Sequence, residues 1–243
     1  SQRNTLTANL FLVYNGTATF QSMQLGDPNY TVNSLITGAG SVTVNQVYAV
    51  SNQNGSFRLG GSTGGTDTIT DSIINGFHET FYTYHAGNLT LYNDTISNFN
   101  LYGIWVASGE TLVPTIKNTI FYSTSGTKAI IDSGAGLTYT DANIDYNSYN
   151  LPLQGITNSG GSHSKLLTNP LFTNGSGSYS LATDFTLSSG SPAKWAGVNV
   201  GLTTDYAGKP VHNPPSMGSF EFIPLLGGSK FYNFWNFYSL FNF

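Results

Sequence analysis

Five strand-like stretches recur along this chain at nearly even intervals, and that recurrence limits the fold more than any single residue does. They read SVTVNQVYAV (41–50), TITDSIINGF (68–77), LTLYNDTISNF (89–99), PTIKNTIFYS (114–123) and TYTDANIDYN (138–147). With Val47, Ile73, Ile96, Ile120 and Ile144 as equivalent anchors, successive spacings are 26, 23, 24 and 24 residues. A second strand is expected after each anchor, as in GIWVAS (103–108) and TKAIID (127–132), where Ile104 and Ile130 lie 26 residues apart. Each unit is a few short strands with Gly or Asn at the corners. It cannot bury its own apolar face and has to stack on a neighbour. Units of about 20–30 residues built from strands alone suggest a parallel β-helix, whereas a propeller blade needs about 40. A sandwich would place hairpin turns between adjacent strands, and the Asn-Gly pairs here are not consistently placed. The expectation is an all-β chain forming a single-stranded right-handed parallel β-helix. About six or seven coils stacked about 4.8 Å apart would make a rod roughly 30 Å long.

Composition agrees with this reading and narrows the function classes. Only 8% of the 243 residues are charged, against roughly 25% in an ordinary soluble domain. Polarity comes from Asn, Ser, Thr and 28 Gly, beside 15 Tyr and 16 Phe. β-Branched and aromatic residues suit pleated surfaces, and Asn and Gly suit corners. A net charge of −4 and two arginines, Arg3 and Arg58, leave no basic patch to neutralise a row of phosphates, so no nucleic-acid partner is expected. With no cysteine there is neither a disulfide nor a thiolate metal site. The chain starts at Ser1 without an apolar leader, so a processed precursor or an excised domain is expected. No run reaches the ~18 apolar residues that a membrane-spanning helix needs.

The end of the chain breaks the pattern. FYNFWNFYSLFNF, Phe231 to Phe243, repeats two large apolar residues and one small polar one behind a Gly227-Gly228 hinge. As a strand this period scatters its polar residues over both faces; as a helix it leaves Asn233, Asn236, Ser239 and Asn242 on one narrow stripe. In either case most of the aromatic surface needs a partner. Phe231, Tyr232, Phe234, Trp235, Phe237, Tyr238, Leu240, Phe241 and Phe243 are therefore candidate subunit contacts, with an intramolecular cap as the alternative. Four segments follow: an N-terminal cap or strand region (1–34), β-helix coils (35–163), closing coils and C-terminal cap (164–223), and the aromatic tail (224–243).

The stretch from Leu166 to Phe222 carries NPLF (169–172), DFTL (184–187), Ser191-Pro192, Gly197, DYAG (205–208) and MGSFE (217–221). It resembles the closing segment of secreted right-handed parallel β-helix proteins of the pectate-lyase-like superfamily. Together with the repeats, the resemblance covers about residues 35–223. Trp195 stands where those proteins commonly have Asp, Val211 and His212 occupy the region of their Arg, and Ser219 replaces Ala. The family's Asp–Arg salt bridge is therefore not expected, and aromatic packing could substitute for it. The superfamily includes polysaccharide lyases and glycoside hydrolases, so a carbohydrate-active enzyme, a tailspike-like depolymerase or a glycan-binding module is one implied function.

Candidate chemistry is sparse. Asp71 and Asp94 occupy equivalent positions in TDSIIN and NDTISN, 23 residues apart. On adjacent coils they would stack about 5 Å apart, with pKa values split as in a catalytic dyad. Asp67 would share the face of Asp71. The competing reading is a solvated polar ladder with Asn118 as its next rung, beside an Asn75–Asn98 ladder that satisfies corner backbone groups. Asp141, Asn143 and Asp145 in DANIDYN superficially suggest a Ca²⁺ loop, but Tyr146 replaces the turn glycine and Pro152 the twelfth-position acid. His78, Glu79, Phe81, Tyr82, Tyr84 and His85, with Tyr102 and Trp105 on the next coil, could form a sugar-stacking platform or a packed aromatic cluster. Sequons at Asn15, Asn29, Asn54, Asn88, Asn93 and Asn174 are no more frequent than this composition gives by chance, though any exposed one could carry a glycan. No cofactor is expected. Low charge, sparse chemistry and the tail favour a non-enzymatic structural protein of a cell or virion surface. Its expected partners are other copies of itself, with polysaccharide as the alternative.

Overall fold

Alternation of apolar and polar residues over five positions places every second side chain on one face of a strand, and coil after coil obeys it. The computed structural model describes residues 9–13, 16–29, 31, 33–37, 40–57, 65–83, 87–140, 142–156, 160–174 and 179–224. All strand pairings are parallel, and nearly all fall into three sheets that form the sides of a β-solenoid. Sheet I stacks Thr17–Gln21, Ser41–Asn45, Thr66–Thr70, Gly87–Tyr92, Leu112–Lys117 and Ile144–Asp145. Sheet II stacks Gln24–Gly26, Tyr48–Val50, Ile73–Asn75, Thr95–Ser97, Ile120–Tyr122, Ser148–Tyr149 and Lys165–Leu166. Sheet III stacks Glu79–Thr83, Tyr102–Val106, Lys128–Asp132 and Leu153–Gln154. Near the N-terminus Asn9–Val13 pairs with Asn33–Thr37.

Register stacks like on like inside. One column of sheet I runs Val44, Ile69, Leu91, Ile116, Ile144. Sheet II contributes Ala49, Ile74, Ile96, Phe121 and Tyr149, and sheet III contributes Phe81, Ile104, Ile130 and Leu153. Most of these side chains are fully buried in one continuous core, at about 1.5–3 kcal/mol each before ordering costs.

The corner between sheets I and II recurs without change. Two residues separate the sheets in every coil, and the first has a left-handed backbone: Ser22, Gln46, Asp71, Asn93, Asn118 and Tyr146, with φ between 48° and 58°. Asn and Asp tolerate this conformation better than most residues because a short polar side chain can bond locally.

Four expectations need correction. The solenoid makes about five turns, not six or seven, because residues beyond Lys165–Leu166 add no further coils. Instead, residues 170–222 fold back along the outer face of sheet II. There Phe172, Phe185, Leu187, Ala193, Met217 and Phe220 form a second core with Tyr48, Val50, Ile73 and Ile120. The solenoid also starts before residue 35, since Thr17–Gln21 and Gln24–Gly26 already pair in register with the next coil. The true equivalents of Ile73 are Tyr48, Thr95, Ile120 and Ser148, so the anchors Val47, Ile96 and Ile144 belong to other columns. Coil lengths of 25, 22, 25 and 28 residues follow.

Candidate functional site

The two carboxylates with the strongest claim to chemistry lie in the seam between the sheet I–II corner and the closing segment. Asp71 is a left-handed corner residue, in the column of Gln46, Asn93 and Asn118. Asp94 lies one position further on, in the column of Ser72, whose backbone N–H it accepts at 2.8 Å. They are thus neighbours on adjacent coils but not equivalent positions. Neither is solvated: Asp71 is 3% exposed and Asp94 0%. Asp67 does not share their setting, since it points into the interior of sheet I and accepts the Val42 N–H at 3.1 Å.

The closing segment brings two more carboxyl groups to the same place. Asp205 accepts the backbone N–H of Glu221 at 3.0 Å, and Glu221 accepts the Ser216 N–H at 3.0 and 3.1 Å. Burial, and behind it the charges of Asp205 and Glu221, push the Asp71 carboxyl up to about 8. Burial also drives Asp94 well above the usual carboxylate range, against the opposing Ser72 hydrogen bond, and raises Glu221. Burial inside the seam thus favours the protonated form of Asp71, Asp94 and Glu221. A hydrolase needs two carboxyls on either side of a bound glycosidic bond, and no substrate reaches this pair past the closing segment.

The seam is stitched by amides. Asn118 donates to Asn93 Oδ1 at 2.9 Å and to the Val198 carbonyl at 2.7 Å, and accepts the Val198 N–H at 2.8 Å. Asn93 also donates to the Ser216 carbonyl. Thr95 Oγ1 accepts the Ser219 N–H, and Gln46 donates to the Asp205 carbonyl. Gly218 has φ of 90°, and a Cβ there would lie 2.7 Å from Ile120 Cδ1, so the backbone passes closer to sheet II than any side chain allows. Trp195 stacks on His212 with ring centroids 4.9 Å apart and meets Phe222 edge-on at 5.6 Å. Aromatic packing thus occupies the place where a salt bridge was not expected.

Elsewhere the candidates separate. Asp141 lies outside the described residues. Asn143 Oδ1 binds Thr140. Asp145 accepts two backbone N–H groups, from Tyr146 and His163, and its Oδ2 lies 2.7 Å from His163 Nδ1. These donors are committed to a turn, and no metal-holding group occurs among the described residues. His163, stacked on Tyr146 with centroids 4.4 Å apart, carried no sequence signal because its partner lies 18 residues away. Asn98 does donate to Asn75 at 2.8 Å, although Asn75 is in register with Ser97 rather than with Asn98. Both line a shallow polar cleft of about 290 Å³ beside Tyr179, below the usual range for a small-molecule site.

On the outer side of sheet III, Tyr82 and Trp105 lie with centroids 4.5 Å apart, and Tyr102 meets Trp105 at 5.5 Å. Trp105 donates its indole N–H to Ser133. His78 Nδ1 lies 2.8 Å from Glu79 Oε1, and Ser56 donates to Glu79 Oε2. Tyr84, His85 and all the aromatic tail candidates lie outside the described residues, as does Asn15. Asn29, Asn54 and Asn88 are exposed, and Asn174 is half-buried. Asn93 is corrected as a glycan acceptor, because its amide is 3% exposed and bonded on both sides of the seam. No described helix is long and apolar enough to cross a membrane. No family model, curated protein or solved structure matches the chain.

Proposed function

We propose that this chain is a non-enzymatic structural protein of an extracellular surface, a self-assembling subunit of a filament, fibre, layer or virion decoration. The observation that carries the reading is the unfinished end of the solenoid. Among the described residues, sheet II stops at Lys165–Leu166, an exposed strand paired on one side only. Leu166, Leu167 and Leu171 are exposed beside it. A parallel edge with apolar neighbours is a template for another chain unless something covers it. At the opposite end Met23 is exposed beside Gln24–Gly26, the first strand of the same sheet. Joining unlike ends is a heterologous contact, which propagates into a filament when it does not close. The aromatic tail supplies the apolar surface for such a contact, and the resemblance of residues 166–222 to secreted β-helix proteins supports an extracellular setting.

Deleting residues 229–243 tests the reading. Native assemblies are expected to collapse to monomers in sedimentation and electron microscopy, and an unchanged assembly state refutes the role of the tail. Leu167→Lys is expected to weaken assembly without unfolding the coils.

A glycan-binding module is the second reading, favoured by the Tyr82, Trp105 and Tyr102 cluster, since aromatic faces are apolar platforms with polar rims. It predicts retention on a glycan panel that Trp105→Ala abolishes. For an enzyme, turnover would have to fall in Asp71→Asn and Asp94→Asn, and the burial of both carboxyls argues against that.

A further inference from the structure

Four carboxyl groups meet where the closing segment lies on the solenoid, two from each side. Asp71 and Asp94 come from the coils, and Asp205 and Glu221 from the closing segment. Folding rarely buries like-signed acids together, because a buried charge without a partner is costly. No lysine, arginine or histidine among the described residues forms an ion pair with any of the four. Lys194 sits over the Trp195 and Phe222 rings, and Lys209 is exposed. His212 is stacked on Trp195, with its Nδ1 3.0 Å from the Pro214 carbonyl. Lys117, on the coil beside the seam, is half-exposed. The ionisable side chains packed into the second core, Tyr48, Tyr122, Tyr146, Tyr179 and Tyr206, are themselves acids.

Two oxygens in the seam, Asp71 Oδ1 and Asp94 Oδ2, are buried with no hydrogen-bond partner among the described residues. Leaving such an atom unpartnered on an ionised carboxylate buries an uncompensated charge, which costs far more than leaving it on a neutral carboxyl. Asp71 and Asp94 are thus placed for the protonated form, beside Asp205, which accepts backbone N–H bonds from Ala207, Lys209 and Glu221. Its other ties are neutral hydrogen bonds and apolar contacts, such as Asn118 with Val198 and Thr95 with Ser219, and these do not change with pH in the same range.

We propose that the seam is a proton-operated latch. The closing segment stays seated on sheet II while Asp71, Asp94 and Glu221, beside Asp205, together hold enough protons to limit the charge in the seam. When those protons pass to solvent, the segment detaches locally and the coils stay folded. Detachment uncovers the apolar outer face of sheet II, including Tyr48, Val50, Ile73 and Ile120. The latch does not depend on the assembly reading, since both sides of the seam belong to one chain.

The sign follows from the carboxyls. A group whose folded pKa is raised favours the closed seam most below its unfolded value, near 4, and loses that advantage as pH rises through the folded value. For Asp71 that value is about 8, so its share of the closed state's advantage is lost progressively between about pH 4 and pH 8 and does not change further above it. Each carboxyl that must ionise contributes about tenfold per pH unit.

Amide hydrogen exchange of the full chain from pH 5 to pH 10, corrected for intrinsic exchange rates, tests the latch. The amides of Gly218 and Ser219, which bond across the seam to Asn118 and Thr95, are expected to lose protection at least tenfold per pH unit between about pH 5 and pH 8, with the Asp71 contribution levelling off above. The strand amides of Leu91 and Ile104 are expected to keep theirs. Asp71→Asn, and Glu221→Gln from the other side of the seam, should each flatten that slope by about tenfold per unit. Protection of the closing segment that does not vary with pH overturns the proposal. So does parallel loss in the coils, which would be global unfolding, or a slope unchanged in both variants. The wild-type series decides alone if either variant fails to fold.

Discussion

Asn118 is the residue at which corner geometry and seam chemistry coincide, and its removal has a magnitude that can be worked out. Its side chain is fully buried and makes three hydrogen bonds, to Asn93 and to both backbone groups of Val198. Its backbone is left-handed, with φ of 56°. Asn118→Ala leaves those partners unsatisfied, at about 1–1.5 kcal/mol each. It also forces a Cβ into the left-handed region without the local bonding that eases Asn there, for a further 1–2 kcal/mol or so. The sum is about 4–6 kcal/mol, or roughly 8–24 °C in Tm for a chain of this size. Asn118→Gly removes the same three bonds but adopts positive φ freely, so it should lose about 3–4 kcal/mol and be the more stable of the two. Urea and thermal unfolding at pH 5.5, with the latch closed, measure both. A glycine variant as stable as wild type refutes the role of the side-chain bonds. Equal losses in the two variants refute the backbone argument.

Two further outcomes follow from the core. Burial pushes the Asp67 carboxyl up to about 6, against the opposing Val42 N–H, so its contribution to stability is greatest below about pH 4 and is lost by about pH 6. Asp67→Asn keeps an acceptor for Val42 and should gain about 3 kcal/mol on wild type between pH 4 and pH 8; parallel pH profiles in urea midpoints would contradict this. Phe121→Ala empties a fully buried site stacked against Tyr149 at 5.3 Å and should cost about 3–5 kcal/mol, whereas a loss under 1 kcal/mol would mean that the coils collapse around the gap.

The solenoid was legible because interior columns recur as apolar alternation, and Ile104 over Ile130 came out in register. Sheet II was misaligned for a physical reason. Both of its faces are covered, so Ile73 points outward and Ile74 inward, each buried in a different core. A doubly buried strand reads as a continuous apolar run, which gives no phase. Asp71 and Asp94 stood out as a pair, but their burial did not, because it depends on a segment over a hundred residues away: Thr95 meets Ser219 across 124 positions. His163 was silent for the same reason on a smaller scale.

The two-residue corner between sheets I and II has a consequence for how such a chain can change. Between successive sheet I–II corners the coil length ranges from 22 to 28 residues, yet the corner itself never varies. Every inserted or deleted residue is taken up on the other two sides of the solenoid. One edge therefore works as a straight ruler. A segment docked along it meets the same spacing at each step, however long the loops opposite become. Sequence drift there is confined to residues that tolerate a left-handed turn and can pass a hydrogen bond to the next coil. The far sides are free to carry the variation through which the protein meets its surroundings.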